Sequence, residues 1–547
     1  MEGIQWREEQ AYALRHYLKG CDARYDGDKK LLRNLSHRYD TRASSHYAFG
    51  LLLRDQTGDV ERASDLIRSI IRLQLDAPEE IYHGTFRRTD MDLDPPKGSY
   101  PWQQVDTPGF AFYLEETLTR IGAELEKAMG QGNGVQEQFR NAVNRVLPRV
   151  WDSYDPNWRE FIACSFAAIL ALFEEKLSPE LVAQMDEAME KTVGASIARR
   201  LSDAIPMNTN IELMHMFIVD FFGSRFKNGA WTQHALKEIS KFRAHFDEFE
   251  SFAEFNSATY YAVDLTALGL WRAFGTSPAM QEVGTHVLQG LWENIALFYN
   301  PNLENLSGPY TRAYEMEMLH HSSLGAHMYL ALGAGYEHMI DHGDDEELDP
   351  LLIYASGGLP SHVRPKLVEH RGPRQVTKQF RELCERNKPG ENTPLCTATA
   401  WIDESYMMGG ISGSENTSGQ LHPATIHWRG DDGEVYSVRL GRRVVGGHWS
   451  KHMRGIRYSA KADQDGLHID VHFTVEQPIE LLFEFRGSGL DAAGLTPSLW
   501  KLPGIVLAVE AEAPEPTIVT REGYVELVYL YVPGGADRMR FRIRQVG

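Results

Sequence analysis

The sequence predicts a multidomain chain, α then β: an (α/α)6-type helical toroid over residues 1–340, a linker over 341–394, and an antiparallel β-sandwich over 395–547. Three observations predict it. Apolar residues recur at helical spacing through the first 340 or so residues. From about Leu395 the spacing shortens to alternation, with turns at Gly, Asp and Pro. Between them, HGDDEELDP and the mixed runs after it follow neither period.

Taken in order, helices are expected at 5–19, 43–54, 58–76, 108–129, 135–150, 158–175, 178–197, 209–222, 231–246, 258–274, 278–298 and 310–333. The connections carry the breakers: DPPKGSYPW, DSYDPNW, LSPE, IPMNTN, GTSP and NPNLENLSGP. They are too short for separate domains. Antiparallel helices in pairs fit an inner ring lining a cavity and an outer ring covering it. A superhelical repeat array would show a sequence period, and none is visible. The strands are TATAWIDESYMMGG, PATIHWRG, EVYSVRLGRRVVG, IRYSAKADQDGLHIDVHFTV, IELLFEFRG, GIVLAVEAEA, YVELVYLYVPGG and RMRFRIRQVG. Asp465-Gly466 within the fourth reads as a hairpin turn.

Composition bounds the function. The formal charge is -20 over 547 residues, which argues against a nucleic-acid surface while leaving room for a local basic pocket. Aromatic residues make up 11%, a supply suited to sugar-binding clefts as well as to packing. No run approaches a membrane span, and the N-terminus lacks the basic start and apolar core of a signal peptide. The chain as it stands is expected to be cytoplasmic, or secreted if a signal peptide was removed. Cys21, Cys164, Cys384 and Cys396 form no CxxC; a Cys384–Cys396 bridge and free thiols are both compatible with the spacing.

Two stretches concentrate chemistry. Ser251–Gly275 places Glu254, Asn256, Tyr260, Tyr261 and Asp264 at a helix entrance, with Asn256 or Ser257 as N-cap. Ser307–Tyr329 reads as a second entrance, with Pro309 in the first turn and Tyr310, Arg312, Tyr314, Glu315 and Glu317 ahead of His320, His321 and His327. Two such mouths predict one rim of one cavity. Each residue also has a scaffold reading: capped core helices with satisfied tyrosines, and carboxylates that complement a helix dipole. Arg42, His46 and Tyr47 open an early helix toward the same cavity, though His46 reads equally as a structural histidine. Tyr100, Trp102 and Asp106 lie in a long loop suited to a substrate platform. No cofactor is expected. A divalent metal would be sought at His320 and His327, seven residues apart on one helix face, although no carboxylate completes the set. In the β region, the Gly/Ser-rich loop GGISGSENTSGQLHPATIHWRG reads as reaching over the toroid, with Trp401, Glu404, His422 and Trp428 near the interface.

A toroid followed by an antiparallel β domain resembles the toroidal polysaccharide lyases: the hyaluronate and chondroitin lyases, and the alginate and heparin lyases of the heparinase II/III type. In that family an Asn, a His with a Tyr, and an Arg converge from different helices. The matching order here is Asn210 in PMNTNIELMH, Tyr260 in NSATYY and Arg312 in YTRAY. The His is missing from the Asn256–Asp264 stretch, so His215 or His320 would supply it from elsewhere. The resemblance implies an acidic glycan as partner, neither nucleic acid nor membrane, and β-elimination as the reaction. A uronate's α-proton is weakly acidic, so Asn210 or Asn256 with Arg312 would neutralise the carboxylate as charge develops. Tyr260 or Tyr314 would act as base and acid. Tyr261, Tyr310, His46, Trp102 and Asp106 would contact substrate. Arg87-Arg88 and the Arg454–Arg457 pair are further candidates for a basic groove, though such pairs are usually just solvated.

Two other readings stand beside it. An inverting glycoside hydrolase needs two separated carboxylates, for which Glu254, Asp264, Glu315, Glu317 and Asp106 are candidates. A non-catalytic sugar-binding protein would use the aromatic rim alone. Isoprenoid-processing toroids need Asp-rich metal motifs on helix faces, whereas DMDLD lies in a loop.

Overall fold

The computed structural model describes residues 6–92, 95, 108–130, 134–136, 138–139, 142, 154–202, 207–320, 323–341, 348–382, 395–416, 418–449, 453 and 455–546. The chain forms a helix-rich N-terminal domain and then antiparallel β structure. Burial separates the helices into two kinds. In α1–α9 (Glu8–Arg24, Thr41–Arg54, Asp59–Arg72, Pro108–Met129, Trp158–Phe173, Pro179–Ser202, Thr209–Arg225, Gly229–Phe249 and Tyr261–Phe274), α2, α5, α7 and α9 are buried nearly all round. In α7, 15 of 17 residues are buried, while α8 buries only Ala235, Glu238, Ile239, Phe242 and Phe246. A helix with one apolar stripe covers a core, and a helix buried on all sides lies within one.

The buried helices are therefore the inner ring. They neighbour one another in the order α2, α5, α7, α9, and α12 (Pro350–Ala355) closes the ring back onto α2. The helices α3, α6, α8 and α10 (Pro278–Phe298) pack outside them, each against the preceding inner helix. Caps fit the chain punctuation: Asp40 caps α2, Asn228 caps α8 and Ser277 caps α10 with Pro278 behind it. Residues 341–394 hold α12, the short α13 (Arg364–Val368) and a strand of the large sheet, Arg374–Arg381.

The expected helix 310–333 is a correction. Only α11, Leu324–Leu332, is helical there, while Tyr310–His320 runs as an irregular loop. Its backbone bonds are taken by other segments: Tyr310 exchanges both N–H···O bonds with His422, Thr311 N–H donates to Phe255 O and Ala313 N–H to Gln420 O. Pro309 follows a cis bond in this loop and starts no helix. The expected helix 135–150 lies largely outside the described residues.

Thirteen strands make the large antiparallel sheet. TATAWIDESYMMGG, expected as one strand, is two: Leu395–Ile402 and Tyr406–Ser412 pair across a tight turn. The hairpin near Asp465 is present, but its turn residues are Gln464 and Asp465, and Gly466 opens the next strand. The sheet folds on itself. Phe483, on a strand near one end of the order, meets Trp500 and Phe541, on strands near the other, with ring centroids 5.1 Å apart in both cases. That face-to-face contact makes the sandwich core.

Among the described residues no helix is long and apolar enough to cross a membrane. Cys21, Cys164 and Cys396 are buried and form no disulfide among the described residues, and Cys384 lies outside them.

Candidate active site

At the N-terminal ends of α7 and α9 the toroid meets the loop 307–320 and the β domain. The chain before α9 is strained there: Glu254 (φ 60°) and Asn256 (φ 52°) both occupy the left-handed region. Such backbone costs of order 1 kcal/mol or more per residue and persists only where surroundings fix it. Here both side chains are fixed. Glu254 is fully buried; its carboxylate accepts from the Asn210 backbone N–H at 3.0 Å, from Asn210 Nδ2 at 2.8 and 3.0 Å, and from Arg312 Nη1 at 2.5 Å. Asn256 Nδ2 donates to Ser307 O at 2.7 Å and Pro309 O at 2.9 Å, which clamps the loop.

Arg312 is the hub. Its Nε donates to Gln420 Oε1 at 2.8 Å, from the Gly/Ser-rich β-domain loop. The Asn208 side-chain oxygen accepts from its Nη1 at 2.5 Å and Nη2 at 3.2 Å. Its guanidinium lies 4.2 Å from the centre of the Tyr260 ring. Tyr260 in turn lies 6.1 Å from the Tyr314 ring, and the two hydroxyls interact. Burial pushes the Tyr260 phenol well above its ordinary pKa, and the nearby Arg312 charge only partly opposes this. Asp264 is fully buried with neither oxygen hydrogen-bonded, and burial together with Glu254 pushes its carboxyl well above the carboxylate range.

The structure thus brings together Asn210, Glu254, Tyr260, Arg312 and Tyr314. Tyr261 and Tyr310 go to the scaffold instead. Tyr261 is buried with its oxygen accepting from Asn256 N–H, and the Tyr310 hydroxyl donates to Leu306 O. His215 faces the outer ring, with Nδ1 at Ser196 Oγ (2.8 Å) and Nε2 at His234 (3.1 Å), and burial holds it neutral. His320 is exposed beside Glu317, whereas His327 is buried against Ala262 O and Thr266, so the two share no face. Among the described residues no three His, Cys, Asp or Glu side chains group as metal ligands. Glu315 accepts from Arg486 of the β domain at 3.0 Å. Trp102, Asp106, Tyr100 and His321 lie outside the described residues.

A family model described as a domain of unknown function, DUF8769, matches residues 13–107 and 129–354. The chain belongs to the DUF8769 family. The matched residues hold Asn210, Glu254, Tyr260, Arg312 and Tyr314; Gln420 lies beyond them. No curated protein matches the chain. This DUF8769 protein is similar to a solved heparinase III with methylated lysines, at 8% identity and TM-score 0.37, over 100% of this chain and 85% of that one. It is also similar to a mutant of the heparan sulfate lyase HepC from Pedobacter heparinus, at 10% identity and TM-score 0.29, over 98% and 88% of the two chains.

The toroid also holds a cavity lined by Arg42, His46, Phe161, Cys164, Met214, Val263, Thr266 and others. Val263, Thr266, Ala267 and Leu270 recur at helical spacing along α9, on the face that Tyr260 begins. Met214 stands one turn below Asn210 on α7. Asn210 and Tyr260 thus stand about one helical turn from cavity-lining residues of the same helices, Met214 and Val263. Sequence reasoning missed Asn208 and Gln420. The Gly/Ser-rich loop was the available signal for Gln420, while Asn208 is one of several polar residues before α7.

Proposed function

We propose that this DUF8769 protein is a polysaccharide or oligosaccharide lyase that cleaves a uronate-containing glycan by β-elimination. The supporting observation is the Tyr260–Tyr314 pair beside Arg312 at the N-terminal end of α9. The elimination breaks the C5–H and C4–O4 bonds of the uronate and forms a C4=C5 double bond, so it needs one base and one acid on the rim. Tyr260, held as a neutral phenol by burial, suits the acid that delivers a proton to the leaving O4. Tyr314, 41% exposed and adjoining the Tyr260 hydroxyl, suits the base, which takes the C5 proton as its phenolate.

The hydrolase reading has less support. Glu254 is wholly engaged by Asn210 and Arg312, with no side open for a water, and Glu315 is tied to Arg486. Single Tyr260→Phe and Tyr314→Phe variants test the assignment. Each is expected to lower turnover of an acidic polysaccharide by about 100-fold or more with little change in KM, the range for a lost acid or base. Retained turnover in both variants overturns it.

A further inference from the structure

Resting on that reading, the substrate's carboxylate needs a partner that is not already engaged. Arg312 gives its donors to Glu254, Gln420 and Asn208, and Asn210 gives its amide to Glu254. A second cation lines the cavity. Arg42, in the first turn of α2, has its guanidinium carbon over the Phe161 ring, 3.5 Å from its centre, and 5.7 Å from the centre of the Trp158 ring. Among the described residues no carboxylate lies within ion-pair distance of it, although the buried Asp155 is close enough to interact with its charge. Asp349 lines the same cavity, but its Oδ1 caps α12 by accepting from Leu351 and Leu352 N–H.

One helical turn along from Arg42 on the same face is His46, also in the cavity wall. Only 7% of it is exposed, and its Nε2 is buried with no hydrogen-bond partner. A buried ring nitrogen left unsatisfied costs free energy that a bound polar group recovers. A guanidinium held over a ring is already ordered, so little freedom is lost when it takes a planar carboxylate with two parallel bonds. The rest of the wall mixes apolar side chains, among them Phe161, Met214 and Leu270, with the hydroxyl side chains Thr266 and Ser323.

We propose that Arg42 and His46 form the carboxylate-recognition subsite of the cavity, in which Arg42 takes the carboxylate of one uronate and His46 Nε2 meets a hydroxyl of the same ring. The ligand class is a pyranose acid, and the subsite selects it over neutral sugars.

The test is calorimetric titration of the full chain with glucuronate and, separately, glucose, on wild type, Arg42→Gln, Arg42→Lys and His46→Gln. Wild type is expected to bind glucuronate at least tenfold more tightly than glucose. Arg42→Gln is expected to lose that preference, Arg42→Lys to keep part of it, and His46→Gln to weaken glucuronate severalfold. Circular dichroism and melting curves on each variant separate lost binding from lost folding, and Arg42→Lys provides a reading if Arg42→Gln misfolds. Glucuronate binding unchanged by Arg42→Gln, equal affinity for glucose, or no glucuronate binding by wild type overturns the subsite. Elimination assayed in parallel keeps the two claims apart. A wild type that forms unsaturated product without glucuronate selectivity overturns the subsite alone. One that binds glucuronate through Arg42 and forms no such product overturns the lyase reading alone.

Discussion

Tyr260 and Tyr261 are neighbours with opposite fates. Adjacent residues at a helix start point about 100° apart, so one phenol reaches the rim and the other the core. Because α9 is buried nearly all round, its sequence carries no amphipathic signal to say which is which. The cluster of Glu254, Tyr260 and Arg312 was legible as residue types at a helix mouth. The Glu254–Arg312 pairing was not, since it depends on two left-handed residues and a partner 58 positions away. That pairing makes a prediction at this scale. Glu254→Gln leaves Arg312 without its carboxylate in a largely buried setting and should cost about 3 kcal/mol. Urea unfolding checks it, and an unchanged midpoint would show that the pair is not what holds the rim.

The loop 307–320 shows why an element read from sequence goes astray. YTRAYEMEMLHH has no breaker and a fair helical composition. Its N–H groups instead pair with His422 and Gln420 of the β domain and with Phe255, and tertiary partners outweigh local propensity. The loop also lies close against the sheet. A Cβ on Gly409 would fall 1.8 Å from Gly308 O, and one on Gly308 would fall 2.2 Å from Thr425 Oγ1. Gly409→Ala therefore cannot keep this contact. The variant is expected to displace the loop and with it Arg312, so that proteolysis near 307–320 accelerates while the helices stay intact. Equal proteolysis of variant and wild type would mean that the loop is positioned by other contacts. The inner helices α2, α5, α7 and α9, by contrast, were legible because uninterrupted apolar runs between Pro- and Gly-bearing connections need no distant partner to be read, whereas α12 was not, lying in the stretch read as a linker.

At the scale of the whole molecule, buried histidines join the parts. His427, on the sheet, donates its Nε2–H to Met316 O at 2.9 Å and also faces the Tyr310 oxygen at 3.3 Å, while His327 joins α11 to α9. Burial lowers both from 6.5 to about 4. Above pH 6.5 neither state is protonated and the full stability is present. Between 6.5 and about 4 the unfolded chain takes up protons that the folded chain does not, so stability falls as pH falls. Each histidine contributes at most about 1.4 kcal/mol per pH unit to that loss. Urea midpoints are expected to drop from pH 7 to pH 5, and His427→Gln should drop less steeply. Parallel slopes for the two proteins would remove His427 from this role. The order of domains was legible in the change of period near Leu395, and the Gly/Ser-rich loop read as reaching over the toroid, but its delivery of Gln420 to Arg312 was visible only once the chain was folded.

The measurement that bears most directly on the central claim is a screen of the purified protein against uronate-containing polysaccharides. It should follow the short-wavelength ultraviolet absorbance of an unsaturated uronate and the appearance of new reducing ends together. The account predicts that both rise in step on at least one acidic glycan and that Tyr260→Phe abolishes both. New reducing ends without the absorbance would contradict elimination and return attention to the carboxylates; binding of the glycan with neither signal would make this a sugar-binding protein.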